Sequence, residues 1–125
     1  MAKSVRVYQY AKCSTCRDAL KFLDQRKVPY EALPIVEKPP TLTELKTMLG
    51  AVKKRGGSLK NLFNTSGQLY REMGLSEKLK TLSESEALAL LTKNGMLVKR
   101  PFLLSTDQNG AHLLGFKVDE WKKAF

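Results

Sequence analysis

Tyr10-Ala11-Lys12-Cys13-Ser14-Thr15-Cys16-Arg17 holds the two cysteines of the chain, with two residues between them. Before it, Val5-Arg6-Val7-Tyr8-Gln9-Tyr10 alternates apolar and polar residues with the period of a strand. After it, Cys16, Ala19, Leu20 and Leu23 recur at i, i+3, i+4 and i+7, the apolar stripe of an amphipathic helix. The pair therefore sits where a strand turns into a helix, with Cys13 at the helix start and Cys16 one turn in. Cys13 lies where unpaired backbone N–H groups and the positive end of the helix dipole favour an anion, and hence a thiolate nucleophile. Cys16 falls on the stripe expected to be buried, ready to attack a disulfide formed at Cys13. A place as a small core residue explains Cys16 equally well. Two intervening residues also permit a disulfide across the first helical turn, so reversible Cys13–Cys16 oxidation is expected.

A structural zinc site usually takes four Cys or His ligands. With His112 the single histidine and no second cysteine pair, a complete zinc site within the chain is not expected, and His112 is assigned no role. At 125 residues the chain is long enough for one core with a sheet and several helices, so one domain spanning 1–125 is expected. No apolar run approaches the roughly 20 residues that span a bilayer, and the start shows no signal-peptide pattern. The expected location is cytoplasmic, without membrane contact, and there a lone Cys-x-x-Cys reads as redox-active instead of as a structural staple. The formal net charge of +10 points to anionic partners. Basic residues are spread along the chain, and the one run, Lys53-Lys54-Arg55 before Gly56-Gly57, reads as a solvated loop more than as a nucleic-acid contact.

Further along, Lys27-Val28-Pro29 breaks the helical pattern and Tyr30-Glu31-Ala32-Leu33 reads as a second strand, parallel to the first in a βαβ unit. Lys38-Pro39-Pro40 is a stiff linker. Thr41-Leu42-Thr43-Glu44 matches a capping box and predicts a helix through Met48 or Leu49 that stops at Gly50. Short helical patterns fill 58–82. Ser83-Glu84-Ser85-Glu86 is a second capping box, opening a helix that ends at Asn94-Gly95. Residues 41–94 thus form a helical insert. The sheet resumes in Met96–Leu104, with Pro101 at the start of the strand Phe102–Leu104. Asp107-Gln108-Asn109-Gly110 supplies a turn, Ala111–Gly115 returns as a hairpin strand, and Val118, Trp121 and Phe125 mark a closing helix. The class is α/β with a mixed four-stranded sheet in the order β-α-β, helical insert, β-β-α. A cysteine pair at the first β–α junction and an X-Pro before the third strand belong to the thioredoxin-like architecture.

Three segments together resemble the arsenate reductase-related (ArsC/Spx/MgsR) family. They are Lys12–Arg17, then Phe63-Asn64-Thr65-Ser66-Gly67 with Tyr70-Arg71-Glu72-Met73-Gly74-Leu75, and Met96-Leu97-Val98-Lys99-Arg100-Pro101. The resemblance implies a catalytic cysteine at Cys13 and an arginine before a cis-proline, Arg100 and Pro101, close to that thiolate. Lys12, Ser14, Thr15, Lys60 and Pro101 are the implied substrate-binding positions. Glutathione-linked arsenate reductases of the family use three arginines around one cysteine. Here Lys60 stands at the first of those positions, and Gly115-Phe116-Lys117 stands where Gly-Arg-Pro belongs. Lys60 keeps a charge but not the planar fork, and Phe116 supplies neither. Efficient arsenate reduction is therefore not expected. Cys16 departs from that reductase class in the other direction, toward the Spx-like regulators, which switch on such a disulfide.

Two functional readings follow. One is a small thiol-dependent oxidoreductase acting on an anionic or disulfide substrate, without a bound cofactor, with glutathione, glutaredoxin or thioredoxin as reductant. Its catalytic residues would be Cys13, Cys16 and Arg100. The other is a Spx-like redox-sensing transcriptional regulator that binds RNA polymerase. A monomer is expected in both. No nucleotide-binding loop, Ser/His/Asp arrangement or paired-carboxylate pattern stands out in the chain.

Overall fold

The computed structural model describes residues 5–105 and 112–125. Two compact units make up the chain: residues 1–34 with 100–125, and residues 35–99.

The first unit is built on a sheet of four strands, in the spatial order β2 (Tyr30–Pro34), β1 (Val5–Gln9), β3 (Phe102–Ser105) and β4 (His112–Leu114). Strand β1 (Val5–Gln9) is followed by helix α1 (Ser14–Gln25) and strand β2 (Tyr30–Pro34), and β1 and β2 pair in parallel. Strands β3 (Phe102–Ser105) and β4 (His112–Leu114) form an antiparallel pair, and β3 runs antiparallel to β1. The turn expected at Asp107–Gly110 lies outside the described residues. This mixed sheet with a helix between its parallel strands is the thioredoxin-like arrangement. Val5 and Val7 of β1, Leu103 of β3 and Leu113 of β4 point into one core with Ala19 and Leu23 of α1. That core is closed by Trp121 of helix α6 (Val118–Ala124), which is fully buried. The Trp121 indole N–H donates to the Gly115 carbonyl at 3.1 Å, so its polar edge is satisfied where its rings are buried. Cys16 belongs to the same stripe of α1 as Ala19 and Leu23, which accounts for its complete burial.

The second unit is largely helical. Helix α2 spans Leu42–Lys54, capped by a full capping box of Thr41 and Glu44. It does not stop at Gly50. The buried stripe Leu45, Met48, Leu49 continues to Val52, and one glycine costs too little to end a helix whose apolar face goes on. The end falls six residues later, at Gly56, whose φ of 85° suits glycine. Lys53 and Lys54 are consequently in the last helical turn and Arg55 is the cap, where cations oppose the negative end of the dipole, and not in a loop. Lys53 also pairs with Glu84 at 2.8 Å.

A 3-10 turn at Leu59–Leu62 and two short helices, α3 (Gln68–Glu72) and α4 (Leu75–Lys78), precede helix α5 (Glu84–Lys93), which carries the second capping box on Ser83 and Glu86. Phe63 and Val98 form an isolated antiparallel bridge, and the Lys99 N–H donates to the Leu62 carbonyl at 2.8 Å. A 3-10 turn at Gly95–Leu97 therefore stands where the sequence pattern alone suggested that the sheet resumes. Strand pairing within the sheet begins only at Phe102, after Pro101.

Candidate functional site

The loop between β1 and α1 is short and tied by hydrogen bonds at both ends. The Cys13 N–H donates to the Tyr10 carbonyl at 3.0 Å, and the Arg17 N–H donates to the Cys13 carbonyl at 3.1 Å, the first helical bond. Cys13 is the N-cap of α1, with extended backbone, and its sulfur accepts the Cys16 N–H at 3.3 Å. A thiol thus occupies the position where Ser, Thr or Asp commonly caps a helix, and a thiolate would fill that acceptor role better than a neutral thiol.

The two thiols are held in different states. Partial burial opposes charge on Cys13. It is outweighed by hydrogen bonds from the Cys16 thiol and backbone N–H, and by the charge and hydrogen bond of Arg100, so the Cys13 thiol lies below its ordinary pKa. Cys16 is pushed up to about 12, first by burial and then because its S–H donates to Cys13. Cys13 is half-buried and can meet a reagent; Cys16 is enclosed. Both are free thiols in this structure.

Arg100 reaches the site through the sheet. The antiparallel register of β1 and β3 pairs Tyr8 with Phe102. That pairing ends at Phe102, and Tyr10 and Arg100 both lie just beyond it. The Arg100 guanidinium lies over the Tyr10 ring, 4.9 Å from its centroid. The bond from Arg100 to Pro101 is cis, and Pro101 is buried.

Of the other residues singled out in the sequence, Lys12, Ser14 and Thr15 are exposed around Cys13, Ser14 and Thr15 being the first two residues of α1. Arg17, also exposed, directs Nη1 to the Ala11 carbonyl at 3.1 Å, so it braces the loop. Lys60 is an exposed residue of the 3-10 turn 59–62 in the second unit. Phe116, where the reductase pattern has arginine, packs edge-on against Trp121 at 5.0 Å and Phe22 at 5.7 Å. It serves the core of the first unit. His112 is half-buried on β4. Tyr10, which no motif of the sequence singles out, also belongs to the site through its contact with Arg100. No local signal marks it, because the ring contact forms only once residues 10 and 100 are brought together at the ends of β1 and β3.

Among the described residues there is no cluster of three or more His, Cys, Asp or Glu side chains that would hold a metal ion. No helix of the described residues is long and apolar enough to cross a membrane.

A thioredoxin-like sheet with a Cys-x-x-Cys at the start of its first helix and an Arg-Pro just before the neighbouring strand β3 defines the class of the fold. The chain belongs to the ArsC family, whose model matches residues 8–124. It is 44% identical over 120 residues to the uncharacterised protein YusI of Bacillus subtilis, covering 96% of this chain and 97% of that protein. An arsenate reductase of Neisseria meningitidis is 28% identical over 89% of both chains, and the global transcriptional regulator Spx 2 of Bacillus anthracis is 25% identical over 95% of this chain and 85% of its own. Among solved structures, an ArsC family related protein of Bacteroides fragilis superposes with a TM-score of 0.88 at 41% identity, over the full length of both chains.

Proposed function

We propose that the chain is a thiol-dependent oxidoreductase that reduces disulfide or glutathione-mixed-disulfide substrates. The observation that carries this reading is the pairing of a supported thiolate at Cys13 with an enclosed, hydrogen-bonded thiol at Cys16. The Cys13 thiolate attacks one sulfur of the substrate disulfide, which releases the other sulfur as a thiolate and leaves a mixed disulfide on Cys13. Arg100 and the start of α1 hold the negative charge of the approaching group, with Lys12, Ser14, Thr15 and Pro101 around it. Cys16 loses its proton to solvent or to the departing thiolate and attacks the Cys13 sulfur. That step releases the second substrate thiol and forms Cys13–Cys16. Two equivalents of glutathione, or a dithiol protein such as glutaredoxin or thioredoxin, restore the two thiols. Arsenate is a poor fit for this reading, because Arg100 alone of the family's three arginines is retained.

A second reading rests on the same pair of sulfurs and on the similarity to Spx 2. In it, the disulfide switches a transcriptional regulator that binds RNA polymerase. Turnover assays with the mixed disulfide of glutathione and mercaptoethanol, and with arsenate, coupled to glutathione reductase, separate the two. The oxidoreductase reading expects turnover of the disulfide that Cys13→Ser abolishes and Cys16→Ser only reduces. No turnover, together with RNA polymerase binding that depends on the oxidation state, would replace it with the regulator reading.

A further inference from the structure

Tyr10 touches each of the three groups of the site. Its carbonyl accepts the Cys13 N–H at 3.0 Å, its backbone N–H is directed at the Cys16 sulfur, and its ring lies under the Arg100 guanidinium. The backbone contacts any residue could make. The ring contact only an aromatic side chain supplies, because the electron-rich face attracts a planar cation laid over it. Arginine side chains are long and retain considerable rotamer freedom unless packed. Arg100 is half-buried on the cis-proline side of β3, and Tyr10 is half-buried just past the end of β1. Stacking uses only one face of the guanidinium, so the N–H groups in its plane can still donate to a sulfur or an anion, as they do to Cys13.

We propose that Tyr10 is a positioning residue: its ring holds the Arg100 guanidinium beside Cys13, so that the site favours substrates bringing a negatively charged group to that sulfur. This inference rests on the role of Arg100 given under the proposed function and extends it to substrate selection. It makes an acidic thiol compound, such as a carboxylate-bearing disulfide, a better substrate class than a neutral one of the same size. The device is orientational. Net charge near Cys13 is the same whether or not the ring is present.

The test compares alkylation of Cys13 by iodoacetate, which is anionic, with alkylation by iodoacetamide, which is neutral. The ratio of the two rates reads the local field at the sulfur and is insensitive to changes that affect both reagents alike. It is measured below and above the thiol's titration in wild type, Tyr10→Phe, Tyr10→Leu, Tyr10→Met, Arg100→Ala and the double variant Tyr10→Leu/Arg100→Ala, with folding checked by circular dichroism. Tyr10→Leu and Tyr10→Met should lower the ratio about two- to fivefold, the range expected from a stacked cation near the surface. Tyr10→Phe should retain the wild-type ratio, since the ring face remains. In the Arg100→Ala background the leucine substitution should have no further effect. Tyr10→Met serves should Tyr10→Leu fail to fold. A ratio lowered by Arg100→Ala but unchanged in Tyr10→Leu and Tyr10→Met would overturn the role of Tyr10 and leave that of Arg100 standing. A loss equal in Tyr10→Phe and Tyr10→Leu, or one that persists without Arg100, would overturn it too. If Arg100→Ala itself leaves the ratio unchanged, the charge-holding role in the proposed function fails instead.

Discussion

Replacing Cys16 by alanine isolates one contribution to the state of Cys13. The backbone N–H of residue 16, 3.3 Å from the Cys13 sulfur, is retained, and so is Arg100. Only the S–H donor is removed. Hydrogen bonds to charged groups contribute about 1.5–3 kcal/mol, but sulfur is a weak donor. Cys13 is also partly exposed, and solvent screens what remains. A value of about 1 kcal/mol follows, or roughly a fivefold smaller ionisation constant for Cys13. At a pH below the titration the thiolate population should fall about fivefold, while the more basic thiolate becomes about twice as nucleophilic, given the usual Brønsted slope. Iodoacetamide labelling should therefore slow about two- to threefold on the acid limb and quicken about twofold on the alkaline plateau. The crossing of the two profiles is the diagnostic. Alkylation rates from pH 4 to 10, followed by mass spectrometry on protein with an unchanged circular dichroism spectrum, would measure it. Superimposable profiles from a folded Cys16→Ala variant would refute the thiol-to-thiolate bond on which the division of labour rests.

The raised Cys16 also bears on stability. Its unfolded thiol ionises near the ordinary value of 9.0 and its folded thiol near 12, so the unfolded state loses the proton first as pH rises. Its contribution is fully present below pH 9 and declines through the window up to 12, by up to about 1.4 kcal/mol per pH unit. Urea midpoints of reduced wild type should drop across that window more steeply than those of Cys16→Ala. Trp121→Phe leaves the Gly115 carbonyl without its 3.1 Å donor inside the aromatic cluster, and should cost about 2–4 kcal/mol from the lost bond and volume together, read from denaturant midpoints. Gly95→Ala would drive a methyl group into the backbone carbonyl of Ile35 in the second unit, where no flexible side-chain end can give way. A loss of at least about 1–3 kcal/mol is expected, together with faster hydrogen exchange at residues 35–36 and 95–98.

Local signals were sufficient wherever chemistry and periodicity coincide over a few residues. The stripe Cys16, Ala19, Leu20, Leu23 (with Leu20 only half-buried), both capping boxes, and the closing helix around Trp121 (with Val118 exposed) appear in the structure where the sequence puts them, since each depends on neighbours three or four positions away. Gly50 misled, because a local breaker was weighed without the buried face that continues to Val52, and burial is a property of packing. The stretch 96–98 misled for the same reason: its apolar residues are buried, but the Phe63–Val98 bridge and the 3-10 turn satisfy its backbone outside the sheet. The site divides along this line as well. By itself the sequence determined that a thiol caps the first helix and that a second lies one turn below it, because both facts are set within a span of four residues. Only the tertiary structure decided what holds the cation that the family resemblance sets beside that thiol. Lys12 and Arg17 lie within four residues of Cys13 in the chain, yet Arg17 bonds the Ala11 carbonyl, while Arg100 comes from more than eighty residues away and stacks on the ring of Tyr10 just beyond the paired ends of β1 and β3.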